Sequence, residues 1–202
     1  MKVTVFDYGA GNMHSIVRAL ERFPGAGVQI CDDPRSALAT DLLVLPGVGA
    51  FQAAAVRLAD ARGAMGDALR AGLPCVGVCL GMQLLFESSD EGAGEGLGLA
   101  AGRVTGLLAR RVPHIGWNTL EPADLLFERA PLAMAYFANG YACRPAAADG
   151  SARVGAWVTH ERDRFPALLR TARTIGVQFH PEKSGPPGVA FLHACMREVL
   201  CA

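Results

Sequence analysis

Short apolar runs of strand length alternate with stretches of helical periodicity through the first half of the chain. In such a pattern each helix connects one strand to a parallel neighbour, because parallel strands cannot be joined by a tight turn. The sequence therefore predicts an α/β fold with an open, mostly parallel sheet and helices on both faces. The predicted strands are residues 3–6, 28–30, 42–45 and 74–78, and the predicted helices are residues 13–23, 51–58, 64–71 and 80–87.

The second half of the chain carries more strand signals than helical ones. It opens on a glycine-rich stretch at residues 90–106, which predicts loops and short strands. Strands are predicted at residues 135–137, 154–159 and 174–179, and a last helix at residues 189–200. Since no repeat or break in composition marks a linker, the 202 residues are predicted to form a single domain, 1–202.

Charge and hydropathy disfavour several classes of function. Lys plus Arg number 19 and Asp plus Glu also number 19, so no net field attracts nucleic acid or an anionic membrane. No apolar run reaches the ~18 residues that a membrane span requires, and the N-terminus lacks the layout of a signal peptide. The six cysteines contain no CxxC pair, which is typical of reduced thiols. We expect a cytoplasmic protein without nucleic-acid or membrane partners.

A cysteine stands where a predicted strand turns into a helix. The run GVCLG at residues 77–81 follows an apolar strand and opens a helical stretch, which is the pattern of a nucleophile elbow. The flanking glycines are expected to let the backbone bend sharply, so that the Cys79 side chain is lifted above the sheet. The N–H group of Leu80 would then point at an oxyanion that develops beside the sulfur. A helix N-terminus also favours a thiolate.

A base for this nucleophile is predicted late in the chain, in the run GVQFHPE at residues 176–182. His180 follows a predicted strand, as Cys79 does, and the carboxyl ends of parallel strands share one edge of a sheet. Pro181 restricts His180 to extended backbone, so Glu182 is expected on the same side, where it can bond one ring nitrogen. The alternative is a solvated His-Pro turn with Glu182 exposed. The presence of the elbow favours a triad.

The other glycine-rich loops do not match cofactor sites. Residues 9–14 begin like a dinucleotide fingerprint, but His14 stands in place of the third glycine. The run PGVG at residues 46–49 lacks the Lys and Ser or Thr of a phosphate-binding loop. It is either an ordinary turn or a second backbone donor to the oxyanion. Because the histidines and cysteines also lack metal-ligand spacing, no cofactor and no metal is predicted.

Five runs of residues resemble the class I glutamine amidotransferases, and among them the glutaminase subunits of imidazole glycerol phosphate synthase from histidine biosynthesis. The elbow and the HPE run specify only the class, whereas the other three runs point to the subfamily. The resemblance covers nearly the whole chain and implies a flavodoxin-like fold. The matching runs are DYGAGN at 7–12, PGVGAF at 46–51, GVCLGMQ at 77–83, VPHIGWN at 112–118 and GVQFHPEKS at 176–184.

The resemblance implies that the chain hydrolyses L-glutamine to glutamate and ammonia. Cys79 would attack the side-chain carboxamide to form a γ-glutamyl thioester, with His180 as base and then acid, and Glu182 would orient the imidazole. The positions that match the family's oxyanion hole are Gly47, Val48 and Leu80. The positions that match its substrate-binding residues are Gln83, Glu91, Asn139, Gly140 and Tyr141.

The resemblance also implies a partner. In the family the ammonia passes to a (β/α)8-barrel cyclase subunit, which forms imidazole glycerol phosphate and an aminoimidazole carboxamide ribotide. We therefore expect a heterodimer of this chain with a barrel cyclase. The positions that match the family's interface and ammonia exit are Asn12, Pro113, His114, Trp117 and Asn118. Turn formation and core packing explain these residues equally well.

One segment departs from the family pattern. Where the family has a run like FVHSY, this chain reads FANGY at residues 137–141, with Asn139 and Gly140 in place of a histidine and a small hydroxyl residue. Because the family contacts glutamine there largely through backbone, substrate binding is expected to survive. Two alternatives stay open. One is the glutaminase of another class I amidotransferase, for instance in pyridoxal phosphate or anthranilate synthesis, and the other is a catalytically silent regulatory subunit.

Overall fold

The computed structural model describes residues 1–9, 11, 13–146 and 152–202. Its strands are β1 (Lys2–Phe6), β2 (Gly27–Cys31), β3 (Leu42–Leu45), β4 (Cys75–Val78), β5 (Ser88–Ser89), β6 (Gly102–Gly106), β7 (His114–Thr119), β8 (Glu121–Pro122), β9 (Met134–Asn139), β10 (Tyr141–Pro145), β11 (Arg153–His160), β12 (Asp163–Thr171) and β13 (Thr174–Val177). Its helices are α1 (His14–Glu21), α2 (Phe51–Leu58), α3 (Arg62–Arg70), α4 (Leu80–Gln83), α5 (Leu126–Arg129) and α6 (Gly185–Cys201). Short 3-10 turns lie at Ser36–Leu38, Ala59–Ala61 and Pro181–Lys183.

The described residues form a main sheet of eight strands in the order β2-β1-β3-β4-β13-β12-β11-β8. The first five strands run parallel, and the last three extend the sheet in antiparallel pairing. Every residue of β3, β4 and β13 is buried, as expected of central strands covered on both faces. The prediction of an α/β fold with an open, mostly parallel sheet is confirmed.

Helices cover both faces of the main sheet. On one face α1 and α6 pack through Leu20 and Phe191, which belong to one buried apolar cluster. On the other face α2 and α3 pack through Phe51 and Met65, which belong to a second cluster. Within the described ranges, no helix is long and apolar enough to cross a bilayer.

The two halves of the predicted site meet at one edge of this sheet. β4 and β13 are parallel neighbours in register, with Val78 opposite Val177, so the residues that follow them emerge side by side. A separate two-stranded sheet of β7 and β9 packs next to this edge, where the His180 N–H donates to the Tyr136 carbonyl at 2.8 Å. Strand β9 therefore lies against one side of this edge of the main sheet.

The secondary structure differs from the sequence prediction in two respects. The helix predicted at residues 80–87 ends after one turn, α4, because the following residues bond to the glycine-rich segment instead: the Leu97 N–H donates to Leu84 O and the Leu99 N–H to Leu85 O. The strands β7 and β12 carry no clear strand pattern in the sequence. Gly116 interrupts the first and Pro166 the second, and both residue types are depleted in strands.

Candidate active site

The candidate nucleophile lies in a strained turn. Cys79 joins β4 to α4 with φ 47° and ψ −103°, a region that residues with side chains rarely adopt. Such a conformation costs on the order of 1–3 kcal/mol and persists only where the surrounding structure holds it. Here the Cys79 N–H donates to the Val177 carbonyl at 2.6 Å, which ties the turn to the end of β13. The strain is thus located at the residue predicted to react.

The glycines on either side of this turn have a different role from the one predicted. The positive φ belongs to Cys79 itself and not to Gly77 or Gly81. A Cβ on Gly81 would lie 2.0 Å from the Leu45 carbonyl oxygen, and a Cβ on Gly77 would lie 2.7 Å from the Gly81 carbonyl oxygen. The two glycines therefore permit α4 to pack directly on β3 and β4, and the bend itself is made by the cysteine.

The structure brings the three predicted catalytic residues together. The His180 Nδ1 atom lies 2.8 Å from the Glu182 Oε1 atom, and the Cys79 side chain lies close enough to the same imidazole to raise its pKa. Gly47 lies directly against this pair, since a Cβ there would be 2.9 Å from both the Cys79 Cβ and the His180 Cε1. The side chains of His180 and Glu182 are 3% and 6% exposed. A thiol, an imidazole and a carboxylate thus form one buried, connected array.

The HPE run reaches this geometry by a route that the sequence did not predict. His180 is extended, with φ −103° and ψ 92°, but Pro181–Lys183 form a 3-10 turn that Pro181 opens. The turn folds the Glu182 carboxylate back onto the ring that precedes it. The alternative of a solvated turn with Glu182 exposed does not describe the structure, because this side chain is buried.

The imidazole of His180 is electrostatically poised for proton transfer. Burial by itself lowers its pKa, but the hydrogen bonds with Cys79 and Glu182, together with their negative charge, outweigh burial and raise the pKa to about 9. The ring therefore stays protonated at neutral pH. An imidazolium held in this way can later give its proton to a leaving group.

A small cavity of about 90 Å³ opens beside Cys79. The five residues predicted to bind substrate line this cavity together with the nucleophile. Of the loop after β3, Gly47 and Gly49 line the cavity, whereas the predicted oxyanion residue Val48 does not. A larger and more open hollow at residues 107–111 and 160–162 has no nucleophilic thiol or hydroxyl in its lining. The residues that line the small cavity are Gly47, Gly49, Cys79, Leu80, Gln83, Glu91, Ala138, Asn139, Gly140 and Tyr141.

Hydrogen bonds hold the cavity wall in place. The Glu91 Oε2 atom accepts the N–H of Phe51 at 3.0 Å, at the first residue of α2, where the helix dipole favours a carboxylate. On the opposite wall the Gln83 Nε2 and Asn139 Nδ2 atoms both donate to the Tyr141 carbonyl oxygen, at 3.2 Å and 2.9 Å. The cavity therefore has a fixed negative charge at one side and oriented amides at the other.

The predicted oxyanion donors lie near the nucleophile to different extents. Leu80 is the first residue of α4, so its N–H has no partner within the helix and sits directly after the nucleophile. Gly47 lies against Cys79, as described above. The Val48 side chain is directed at the loop that follows β1, because a Cβ on Gly11 would lie 2.5 Å from the Val48 Cβ. Only the backbone of Val48 is therefore available to the site.

Comparison with known proteins identifies the family of this chain. The family model described as glutamine amidotransferase class-I matches residues 4–199 of the chain. The chain belongs to the class-I glutamine amidotransferase family. It is 41% identical to "Imidazole glycerol phosphate synthase subunit HisH" of Corynebacterium diphtheriae, over 95% of this chain and 96% of that protein. It is 43% identical to the protein of the same name from Leifsonia xyli subsp. xyli, over 94% and 95% of the two chains.

Solved structures share the fold of this amidotransferase at lower sequence identity. A putative GMP synthase subunit from Thermoplasma acidophilum aligns with a TM-score of 0.73 and 16% identity, over 98% of this chain and 94% of that chain. A structure described as glutamine amidotransferase aligns with a TM-score of 0.71 and 19% identity, over 96% and 98% of the two chains. At these identities the likeness establishes the fold alone.

One polar residue of the amidotransferase site is missing from the sequence prediction. The Gln178 Nε2 atom lies 3.4 Å from the Cys79 Sγ atom, and the Gln178 side chain is fully buried. A signal for it exists, because residues two apart in an extended segment point to the same side, and Gln178 stands two residues before His180. This alternation is a weaker sequence signal than the histidine and the glutamate of the HPE run.

The residues predicted to form the partner interface of this amidotransferase separate into two groups. Trp117 and Pro113 are exposed, and Trp117 is 54% accessible. His114 is buried, stacked at 5.0 Å on Phe137 and at 4.1 Å on His160, while Asn118 donates to the Thr159 carbonyl at 3.0 Å. For these two residues the structure shows core packing and strand bonding. Asn12 lies outside the described residues.

Lowering the pH below 6.5 is expected to destabilise the protein through His114. Burial first, and then the neighbouring His160, lower its pKa from 6.5 to about 4. The folded state therefore binds fewer protons here than the unfolded chain, so this stability is present above pH 6.5 and is lost as the pH falls toward 4.

The variant His114→Phe keeps an aromatic ring in the stack and cannot titrate. Between about pH 7 and pH 4.5 we expect it to lose roughly 1–2 kcal/mol less unfolding free energy than wild type. Urea unfolding at both pH values measures this, and equal losses would contradict the prediction.

Proposed function

We propose that this protein is the glutaminase subunit of an imidazole glycerol phosphate synthase. It hydrolyses L-glutamine to glutamate and ammonia, and it delivers the ammonia to a barrel cyclase subunit. The observation that carries the proposal is the position of Cys79, which lies beside the His180–Glu182 pair and also lines a cavity formed by the family's substrate-binding positions. The names of the full-length relatives support the assignment to this synthase.

The chemistry follows from the positions of these groups. The Cys79 thiolate attacks the carboxamide carbon of glutamine, and the developing oxyanion lies against the Leu80 N–H. His180 gives its proton to the nitrogen as the carbon–nitrogen bond breaks, so ammonia leaves and a γ-glutamyl thioester forms. His180, held by Glu182, then takes a proton from water, which attacks the thioester. Glutamate leaves and the thiolate–imidazolium pair is restored.

The charges around the cavity suit glutamine as substrate. The Glu91 carboxylate provides a negative partner for the α-ammonium group, and it is held in position by the Phe51 N–H. Asn139 and Gly140 line the same cavity, and the family resemblance assigns their backbone to the α-carboxylate. A substrate with both groups bound places its carboxamide at Cys79. The replacement of His and a hydroxyl residue by Asn139 and Gly140 is compatible with this role, because the contact is made by backbone.

An exposed apolar surface next to the cavity is the proposed docking site for the cyclase. Ile115 and Trp117 lie on one face of β7, and their cross-strand partners are Ala138 and Tyr136 on β9. Ile115 and Trp117 are exposed, and Ala138 also lines the catalytic cavity. This apolar face therefore begins where the ammonia is made. A partner seated on it would close the site from water on that side.

Reconstitution with the cyclase subunit from the same organism tests the proposed function. The expected result is copurification of the two chains and glutamine-dependent formation of imidazole glycerol phosphate. Glutamate should form in equal amount, because each ammonia taken up by the product comes from one glutamine. A stable complex that makes the product only from added ammonium salt would indicate a silent regulatory subunit. Failure to bind the cyclase, with glutaminase activity appearing beside another synthase subunit, would indicate a different class I amidotransferase.

Replacing Trp117 with alanine is expected to weaken binding to the cyclase by about 30-fold or more. A large aromatic side chain at the centre of an interface commonly contributes about 2 kcal/mol or more, and Trp117 is half exposed beside Ile115. Isothermal titration of the two subunits measures the change in Kd. The matched control is Val56→Ala, since Val56 is 67% exposed on α2 and away from β7. Equal Kd values for the Trp117→Ala variant and wild type would exclude this face as the docking site.

A further inference from the structure

We propose that Gln178 is a further catalytic residue, whose side-chain amide donates a hydrogen bond to the sulfur anion of Cys79. This inference rests on the proposed function, in which Cys79 is the nucleophile. Gln178 directly follows β13, is fully buried, and its Nε2 atom lies 3.4 Å from the Cys79 Sγ atom. This distance is within hydrogen-bonding range for sulfur. The amide therefore contacts the reacting atom itself.

The orientation of the Gln178 amide follows from a fixed anchor. The Tyr141 backbone carbonyl can only accept a hydrogen bond, so the Gln83 group 3.2 Å from it must be the NH2 donor. That same Gln83 Nε2 lies 3.2 Å from Gln178, which must then present its oxygen to Gln83. The Gln178 nitrogen is left facing the sulfur. The Tyr141 carbonyl on β10 thus fixes the orientation of the Gln83 and Gln178 amides, so that the Gln178 amide nitrogen faces the Cys79 sulfur.

Such a donor acts where the sulfur carries negative charge. It favours the thiolate over the thiol before attack, alongside the His180 imidazolium. The sulfur loses its charge as the carbon–sulfur bond forms, so the hydrogen bond weakens in the thioester. It is regained when water attacks, the carbon–sulfur bond breaks and the electron pair returns to sulfur. Gln178 therefore assists both the formation of the nucleophile and its departure as a leaving group.

Alkylation of Cys79 by iodoacetamide as a function of pH tests this role without requiring glutaminase turnover. The variants are Gln178→Met, which keeps the side-chain length and removes the donor, and Gln178→Glu, which keeps the shape and adds a negative charge. The rate is followed by mass spectrometry of the peptide that contains Cys79. The matched control is Thr174→Val on β13, which alters a buried hydroxyl of the same strand away from the sulfur.

For Gln178→Met the midpoint of the alkylation rate against pH is expected to rise by about one unit, because hydrogen bonds to charged groups are worth that much. At neutral pH the rate should fall by at most about three- to fivefold, because the smaller thiolate fraction is partly offset by the greater reactivity of each thiolate. At the high-pH plateau it should rise about two- to threefold, since a less stabilised thiolate is the better nucleophile. Gln178→Glu should move the midpoint further upward. A merely structural role would lower the rate at every pH and leave the midpoint in place.

The outcomes separate this inference from the function on which it rests. If wild-type Cys79 reacts no faster than the exposed thiol of Cys201 in the same sample, the proposed nucleophile is wrong. If wild-type Cys79 is selectively reactive but both Gln178 variants keep the wild-type midpoint, only the role of Gln178 is overturned. A midpoint shift in Thr174→Val equal to that in Gln178→Met would also overturn it, because the shift would then report general disturbance of β13.

Discussion

The Cys79→Ala variant is expected to lose glutamine-dependent ammonia production by at least about 10³-fold while the fold is retained. The reaction proceeds through a bond between the sulfur and the substrate carbon, and among the described residues no other thiol or hydroxyl lines the cavity except the Tyr141 phenol. Alanine accepts the φ of 47° no worse than cysteine does, because both carry a Cβ. Ammonia release is measured with the cyclase partner present, and circular dichroism and thermal unfolding verify the fold.

The exposed thiol at the end of α6 provides the matched control for this variant. Cys201→Ala removes a free cysteine from the surface, so its ammonia production should equal that of wild type. Full cyclase activity with added ammonium salt in the Cys79→Ala complex would show that the partner still binds and works. Glutaminase activity retained in Cys79→Ala would refute the triad and, with it, the mechanism proposed above.

Replacing Gly81 with alanine is expected to destabilise the protein by about 3 kcal/mol or more. The new Cβ would lie 2.0 Å from the Leu45 carbonyl oxygen and 2.6 Å from the Leu45 carbonyl carbon. Leu45 is fully buried at the end of β3, so neither the strand nor α4 can move without disturbing the core on both faces. The start of α4 would be displaced from β3, and with it Cys79, so activity should be lost together with stability. Urea unfolding measures the change.

Gly63 provides the matched control for Gly81, because alanine there would bring no Cβ close to another atom. Gly63 lies in α3, and a Cβ there would have no atom within 4 Å. Gly63→Ala is therefore expected to stabilise the protein by about 0.5–1 kcal/mol, as alanine is the better helix former. If Gly81→Ala were as well tolerated as Gly63→Ala, the direct packing of α4 on β3 would be wrong.

The sequence was sufficient to predict the strands of the parallel half of the sheet. The strands β1, β3 and β4 are short, continuous apolar runs between turn signals, and such runs predict strands that are covered on both faces. The five substrate-binding positions came from the resemblance to a family rather than from local pattern. They are distant in sequence, yet in the structure all five line the same cavity as Cys79.

Local pattern failed where tertiary contacts replace local bonds. The helix after Cys79 stops after one turn because the Leu84 and Leu85 carbonyls accept hydrogen bonds from a distant glycine-rich segment. The glycines of the elbow were expected to supply backbone freedom, but Gly81 is required by the carbonyl of Leu45 on another strand. Neither contact can be predicted from the neighbouring residues in the sequence, because the partner lies elsewhere in the chain.

Residue type and hydrophobic periodicity predict the candidate groups for the chemistry: a cysteine between a strand and a helix, and a histidine and glutamate after another strand. Both are local properties, so they predict elements and reactive groups but not how those groups meet. The folded chain alone shows that β4 and β13 are neighbours, that the Glu182 carboxylate turns back onto His180, and that the Gln178 amide faces the sulfur. These depend on strand order, on the 3-10 turn after His180 and on a hydrogen bond between Gln178 and Cys79, which are 99 residues apart, and they exist only once the core has packed.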